Sequence, residues 1–334
     1  MSNCQSQNKL IHKGDYQMTK IAFIFPGQGS QTVGMGAEFV ANDEGSKQYY
    51  ERANEVLNIP LSDYMLNGPQ ETLTLTYHAQ PALLTSGVMI ANKLIEAGIA
   101  PQYTAGHSLG EYSAFVISGV IDFEDAVQTV HRRGVFMDEA VPAGQGAMAA
   151  ILALDGEKLD AICQQVSAEG EVVQVANFNC PGQIVISGTK QGVDEACKRA
   201  KEAGAKRALP LVVSGPFHSS LMQKAAHNLK DTVANLPLQE PKIPVVSNVT
   251  SEILTTVEAI KEEMVAQVTS SVQWQQNIEK LIAEGVTVFI ECGPGKVLSG
   301  LVKKIDRNVQ TYCVYDEASL TQVVEASKEW KQWV

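Results

Sequence analysis

Short unbroken apolar runs alternate along most of this chain with stretches in which apolar residues recur every three to four positions. Ile21-Ala22-Phe23-Ile24-Phe25, Tyr103-Thr104-Ala105, Val245–Val249 and Val286–Ile290 are too short for helices and read as strands. Between them, the Ala-, Leu- and Ile-rich stretch over about Pro81 to Ala97 predicts a helix, and a second runs from an Asp122 N-cap to about Ala140. Strand-like and helical segments in alternation predict an α/β fold around a largely parallel sheet.

From about Ala147 to Val212 the pattern changes. It predicts strand (Met148–Leu154), helix (Glu157–Ala168), strand (Val172–Phe178), strand (Gln183–Ser187), helix (Gly192–Ala203) and strand (Lys206–Val212). Apolar stripes at helical spacing run through Leu159, Ile162, Cys163 and Val166, and through Val193, Ala196, Cys197 and Ala200. The order βαββαβ is the ferredoxin-like arrangement, sized for an inserted subdomain. Its ends fall at Gly144-Gln145-Gly146 and Ser214-Gly215-Pro216, both turn-forming. The expected division is a catalytic subdomain over 18–143 and 213–334, an insert over 144–212, and a disordered extension over 1–17.

Composition narrows the function classes. The chain has 334 residues, 45% hydrophobic and 19% charged, with a formal charge of −11. Such an acidic chain lacks the basic footprint of a nucleic-acid binder. No apolar stretch reaches the roughly 18 residues that span a bilayer, and the polar first 17 residues lack a signal-peptide core. A cytoplasmic location is expected. The six cysteines form no CxxC pair and have no neighbouring histidine, so neither a metal site nor a disulfide framework is indicated.

Candidate chemistry centres on Gly106-His107-Ser108-Leu109-Gly110, which follows a predicted strand. Gly-x-Ser-x-Gly marks either a nucleophile elbow or an ordinary glycine-flanked turn. As an elbow it would raise Ser108 above the sheet, with N–H groups of the next helix facing the developing oxyanion. Of the six histidines, His12 lies in the extension, His107 adjoins the serine in a tight turn, and His78, His131 and His227 lie in helical or inter-helical sequence. His218 stands where the insert rejoins the main body, a place for a cleft, and serine precedes histidine as in α/β-hydrolases. It is a general base on that reading, or else a capping or surface histidine. In the helix after Asp122, Arg132 faces away from the apolar stripe Val127, Val130, Gly134, Met137, whereas Arg133 lies beside it. Arg133 could bind a carboxylate bidentately in a cleft, or only favour its helix's C-terminal dipole. Pro26–Gln31 is glycine-rich, but the third glycine of a dinucleotide fingerprint is replaced by Thr32. Gly293-Pro294-Gly295-Lys296 lacks full phosphate-loop spacing and reads as a turn.

Taken together, PGQGSQ at 26–31, GHSLGEYSA at 106–114, the Arg133 helix with FMDEAVP at 136–142, FNCPGQIVISG at 178–188, GPFHSSLM at 215–222 and ECGPGKVLSGL at 291–301 resemble the malonyl-CoA:acyl carrier protein transacylases of type II fatty acid synthesis. The resemblance runs from about Met18 to Asp316. It implies an α/β-hydrolase-like large subdomain carrying a ferredoxin-like insert. It further implies that Ser108 is the nucleophile and His218 its base, that backbone N–H groups of Gln28 and Leu109 form the oxyanion hole, and that the Gln267 carbonyl orients the histidine. Arg133 would hold the malonyl carboxylate and disfavour acetyl-CoA, which would leave the cation unpaired. Partners are then malonyl-CoA and a phosphopantetheinylated acyl carrier protein, with no metal and no cofactor beyond the coenzyme A thioester. Ser271-Val272-Gln273-Trp274 departs from the family's Pro-Val-x-Trp, and Trp330 and Trp333 have no counterpart.

An acidic enzyme docking an acidic carrier needs a local basic patch. Residues 190–207, with Lys190, Lys198, Arg199, Lys201, Lys206 and Arg207, are the expected contributor; a solvated helix face is the plainer account. Alternatives for the whole chain are a discrete acyltransferase serving a polyketide synthase, a serine hydrolase or thioesterase, and an acyl-binding module.

Overall fold

Five residues of the first predicted strand, Ile21–Phe25, are fully buried, because that strand lies in the middle of a sheet covered on both faces. The computed structural model describes residues 19–330. The extension over 1–17 and Trp333 lie outside the described residues. The strands are β1 (Lys20–Phe25), β2 (Tyr103–Gly106), β3 (Gly146–Leu152), β4 (Val173–Cys180), β5 (Gln183–Thr189), β6 (Arg207–Pro210), β7 (Val245–Val246), β8 (Ile253–Leu254), β9 (Val286–Cys292) and β10 (Gln310–Val314). The larger sheet has the order β10-β9-β1-β2-β7-β8, parallel throughout except where β8 pairs antiparallel with β7. Phe25 is in register with Gly106, so the loop after β1 and the turn after β2 leave the sheet side by side at its C-terminal edge. That edge is where open α/β sheets hold ligands.

The helix Thr76–Glu96 begins five residues before the expected Pro81. Proline inside a helix removes one N–H and leaves the carbonyl four residues back without its partner. Here that carbonyl belongs to Tyr77, and His131 Nδ1 lies 2.7 Å from it on the neighbouring helix, Phe123–Ala140. The side chain replaces the missing donor. The two helices touch closely at Gly134, where a Cβ would come within 2.6 Å of the Tyr77 Cα. This contact brings the Arg133 side chain beside Gln80.

The second sheet is antiparallel, in the order β4-β5-β3-β6. It carries the helices Gly156–Ala168 and Lys190–Glu202 around their own apolar cluster of Ala149, Ile151, Leu159, Cys163, Val166, Val193, Ala196 and Ala200. Asp155 and Thr189 cap these helices through their side chains. The order is that expected of βαββαβ, with first and last strands adjacent. β6 stops at Pro210, two residues short of expectation. Val212 is fully exposed beyond it, and the chain turns away from the sheet along the cleft. β8 and β10 had no counterpart in the hydrophobic pattern; β10 is a mostly half-exposed edge strand and β8 has only two residues.

Candidate active site

Steric constraints build the site's first turn. A Cβ on Gly106 would lie 1.8 Å from the Gly110 carbonyl carbon, and one on Gly110 would lie 2.0 Å from the Phe25 oxygen. Between them Ser108 has φ 52°, the left-handed region that costs a non-glycine residue about 1 kcal/mol or more. The Asn248 side chain braces this turn: Ser108 N–H donates to its Oδ1 at 2.7 Å, and its Nδ2 donates to Gly106 O at 2.7 Å. The turn is therefore an elbow.

His218 Nε2 lies 2.7 Å from Ser108 Oγ, and His218 Nδ1 lies 2.8 Å from the Gln267 carbonyl. A carbonyl only accepts, so Nδ1 carries the proton and Nε2 faces the hydroxyl as an acceptor. His218 is buried, not a surface residue. Burial, and after it the Arg133 charge, push its pKa down to about 3, so the imidazole is neutral near pH 7. His107 turns away from the serine, with Nε2 2.9 Å from Asn179 Oδ1.

Arg133 is 1% exposed, while Arg132 is exposed, as the helical phase predicts. Its Nη1 donates to Gln80 Oε1 at 2.8 Å, and its Nη2 donates to Gln267 Oε1 at 2.7 Å and Ser108 Oγ at 3.2 Å. The Tyr112 ring lies 5.7 Å from the guanidinium carbon. Every hydrogen-bond acceptor here is neutral, and Nε has no partner among the described residues. A buried guanidinium whose direct partners are all neutral, 3.2 Å from a hydroxyl, can bind an anionic group.

A cleft of ≈ 150 Å³ collects these groups between the two sheets. Gln28, Ser108, Leu109, Arg133 and His218 line one side; Met148, Asn177 and Val212 line the other. Neither Gln28 N–H nor Leu109 N–H finds an acceptor among the described residues. Both are thus available to an oxyanion. Pro26 is seated against Gly293, whose added Cβ would lie 2.8 Å from it. Buried Glu291 anchors that turn by accepting from Leu298 N–H at 3.1 Å and Ser299 N–H at 2.7 Å, so 293–296 is a structural turn. Among the described residues no group of three or more His, Cys, Asp or Glu could hold a metal ion.

The profile of the acyl transferase domain family matches residues 22–323. Malonyl CoA-acyl carrier protein transacylase of Bacillus subtilis (strain 168) is 53% identical over 312 residues, 93% of this chain and 98% of the relative. The chain belongs to the malonyl CoA-acyl carrier protein transacylase family. Among solved structures, an acyl carrier protein S-malonyltransferase from Vibrio cholerae superposes with a TM-score of 0.89 at 47% identity, covering 91% of this chain and all of that one. A malonyl-transacylase in complex with its type II PKS acyl-carrier protein gives 0.90 at 44% identity, covering 92% and 100%.

The sequence-derived candidates of this transacylase-family chain, Ser108, His218, Arg133, Gln28, Leu109 and Gln267, converge on one cleft edge. Gln80, Asn248 and Glu111 were missed. Glu111 sits inside the GHSLGE run and could have been flagged as a charged residue on an otherwise apolar helix; Gln80 and Asn248 carry no local signal. Two details of the transacylase's surroundings bear on the sequence reading. Much of the basic stretch is internally paired: Arg199 grips Glu169 through Nη1 at 2.8 Å and Nη2 at 2.5 Å and Glu195 through Nε at 2.7 Å, and Lys190 binds Asp194 at 2.9 Å. Exposed Lys201, Lys206 and Arg207 make no ion pair among the described residues. The departure at Ser271 does not disturb the Gln267 carbonyl. Ser271 Oγ donates to Val175 O at 2.5 Å, and Val272 forms a bridge with Asn177 of β4.

Proposed function

We propose that this chain transfers the malonyl group of malonyl-CoA to the phosphopantetheine thiol of an acyl carrier protein, through a malonyl ester on Ser108. Ser108 Oγ attacks the thioester carbonyl carbon while its proton passes to His218 Nε2. The oxyanion lies against the N–H groups of Gln28 and Leu109. As the C–S bond breaks, the departing sulfur takes the proton from Nε2 and coenzyme A leaves. In the second half the carrier thiol gives its proton to Nε2, its sulfur attacks the ester carbonyl, and Ser108 recovers the proton. The thioester is itself the activated donor, so the steps need no metal or prosthetic group.

The observation that carries this reading is Arg133: a fully buried cation bonded only to neutral groups beside the serine hydroxyl. A malonyl carboxylate satisfies it, and an acetyl group leaves it unpaired. The carrier partner supplies extender units for fatty acid synthesis; the related complex with a type II PKS carrier supports a polyketide carrier as the second reading. No helix among the described residues is long and apolar enough to cross a membrane, which fits a cytoplasmic enzyme. On this reading the insert over 144–212 supplies the far wall of the cleft through Met148, Asn177 and Val212, facing the described part of a catalytic subdomain over 18–143 and 213–334.

Intact-protein mass spectrometry after brief exposure to malonyl-CoA tests the reading. A malonyl adduct that Ser108→Ala abolishes and a phosphopantetheinylated carrier removes is the expected result. Rapid release of free malonate without any acceptor would identify a hydrolase instead.

A further inference from the structure

Behind Arg133 lies a second buried layer that the acyl-transfer steps do not use. Glu111 and Glu263 are 0% and 4% exposed and face each other closely enough to share a hydrogen bond. Glu111 Oε1 accepts from Asn248 N–H at 2.8 Å, and its Oε2 accepts from Gln267 Nε2 at 2.5 Å. Glu263 accepts from Ser247 Oγ at 2.6 Å and Val249 N–H at 3.0 Å. Burial pushes both carboxyls above the ordinary range, and their mutual repulsion adds to it for Glu111. Two carboxyls so close oppose each other's ionisation.

We infer that Glu111 is a positioning residue for the malonyl carboxylate, acting by fixing which way the Gln267 amide points. Gln267 Nε2 donates to Glu111 Oε2 and to Ser108 O at 2.9 Å, which leaves Oε1 to receive Arg133 Nη2. Were the amide reversed, its NH2 would confront the guanidinium, and two donors cannot bond. The inference rests on the transacylase reading, since it assigns Glu111 to the anion receptor.

Glu111→Gln is nearly isosteric and tests it. Asn248 N–H is held in the backbone beside the elbow, so the new amide oxygen stays there and its NH2 meets the Gln267 NH2. Gln267, a side chain free to rotate, then turns from Arg133. The KM for malonyl-CoA is expected to rise about tenfold or more, as for loss of a hydrogen bond to a charged group. Sulfonylation of Ser108 by phenylmethylsulfonyl fluoride, which needs the serine and its base but no carboxylate receptor, should stay within about twofold. Glu263→Gln leaves Glu111 as the sole carboxylate and should keep the malonyl KM within about threefold. A parental KM in Glu111→Gln, a parallel fall in both reactions, or equal damage from Glu263→Gln would overturn the inference. Should Glu111→Gln not fold, Gln267→Leu keeps the backbone carbonyl and must raise the malonyl KM alone; an unchanged KM there overturns it too. Loss of Ser108-dependent malonylation in the parent would instead remove the transacylase reading itself.

Discussion

As the proposed base, His218 joins two demands that pull against each other: it is buried where it faces Ser108, and it would have to accept a proton during the reaction. Burial and Arg133 hold its pKa near 3 in the free protein. The base form therefore persists well below the ordinary histidine value of about 6.5, and the acidic limb of kcat/KM for Ser108 malonylation is expected below pH 6.5. A limb at or above 6.5 would mean that His218 is not held this way. The sign for stability is the same. Between pH 3 and 6.5 the unfolded chain binds a proton here and the folded chain does not, so this contribution is complete above about 6.5 and declines as pH falls. Ser108, His218 and Arg133 were readable because each has a pattern around it: flanking glycines, a turn after a strand, a phase on a helix. Asn248, Gln80 and Glu111 act from separate elements, and only the folded chain shows that their polar atoms meet.

At the scale of elements, the elbow is fixed by what cannot be added to it. Gly106→Ala would place a methyl 1.8 Å from the Gly110 carbonyl carbon, and backbone must move to admit it. The expected cost is about 3 kcal/mol, read as a thermal midpoint lower by roughly 6–12 °C with loss of malonylation. An active variant melting like the parent would show that the turn can relax. Most strands were legible, since β1, β2 and β9 are apolar runs, and so were the insert's two helices, which carry clear stripes; helices such as Glu44–Leu57, Gln223–Ala234 and Val257–Ala266 were not read. The helix at Thr76–Glu96 was misplaced because Pro81 reads locally as a start signal, and its compensation comes from His131, 50 positions downstream. β10 was invisible for the opposite reason: an edge strand need not be apolar to pair.

On the scale of the whole molecule, the sequence indicated a βαββαβ insert within an α/β body but not how the two sheets touch. They are tied beside the site. Phe178 N–H donates to Val272 O at 2.9 Å and Val272 N–H donates to Ala176 O at 2.8 Å, which fastens the segment after Gln267 to β4. Val272→Pro removes the second donor. Ser108 malonylation should slow several-fold, because the Gln267 carbonyl that aims His218 sits five residues away. Single-turnover kinetics would show it; a parental rate would mean that the tie is only structural. The same tie couples two properties of the cleft. A cleft that widened by moving β4 would draw the Val272 segment with it, and with that segment the Gln267 carbonyl that meets His218 Nδ1, so the width of the cleft and the aim of the imidazole are set by the same two hydrogen bonds.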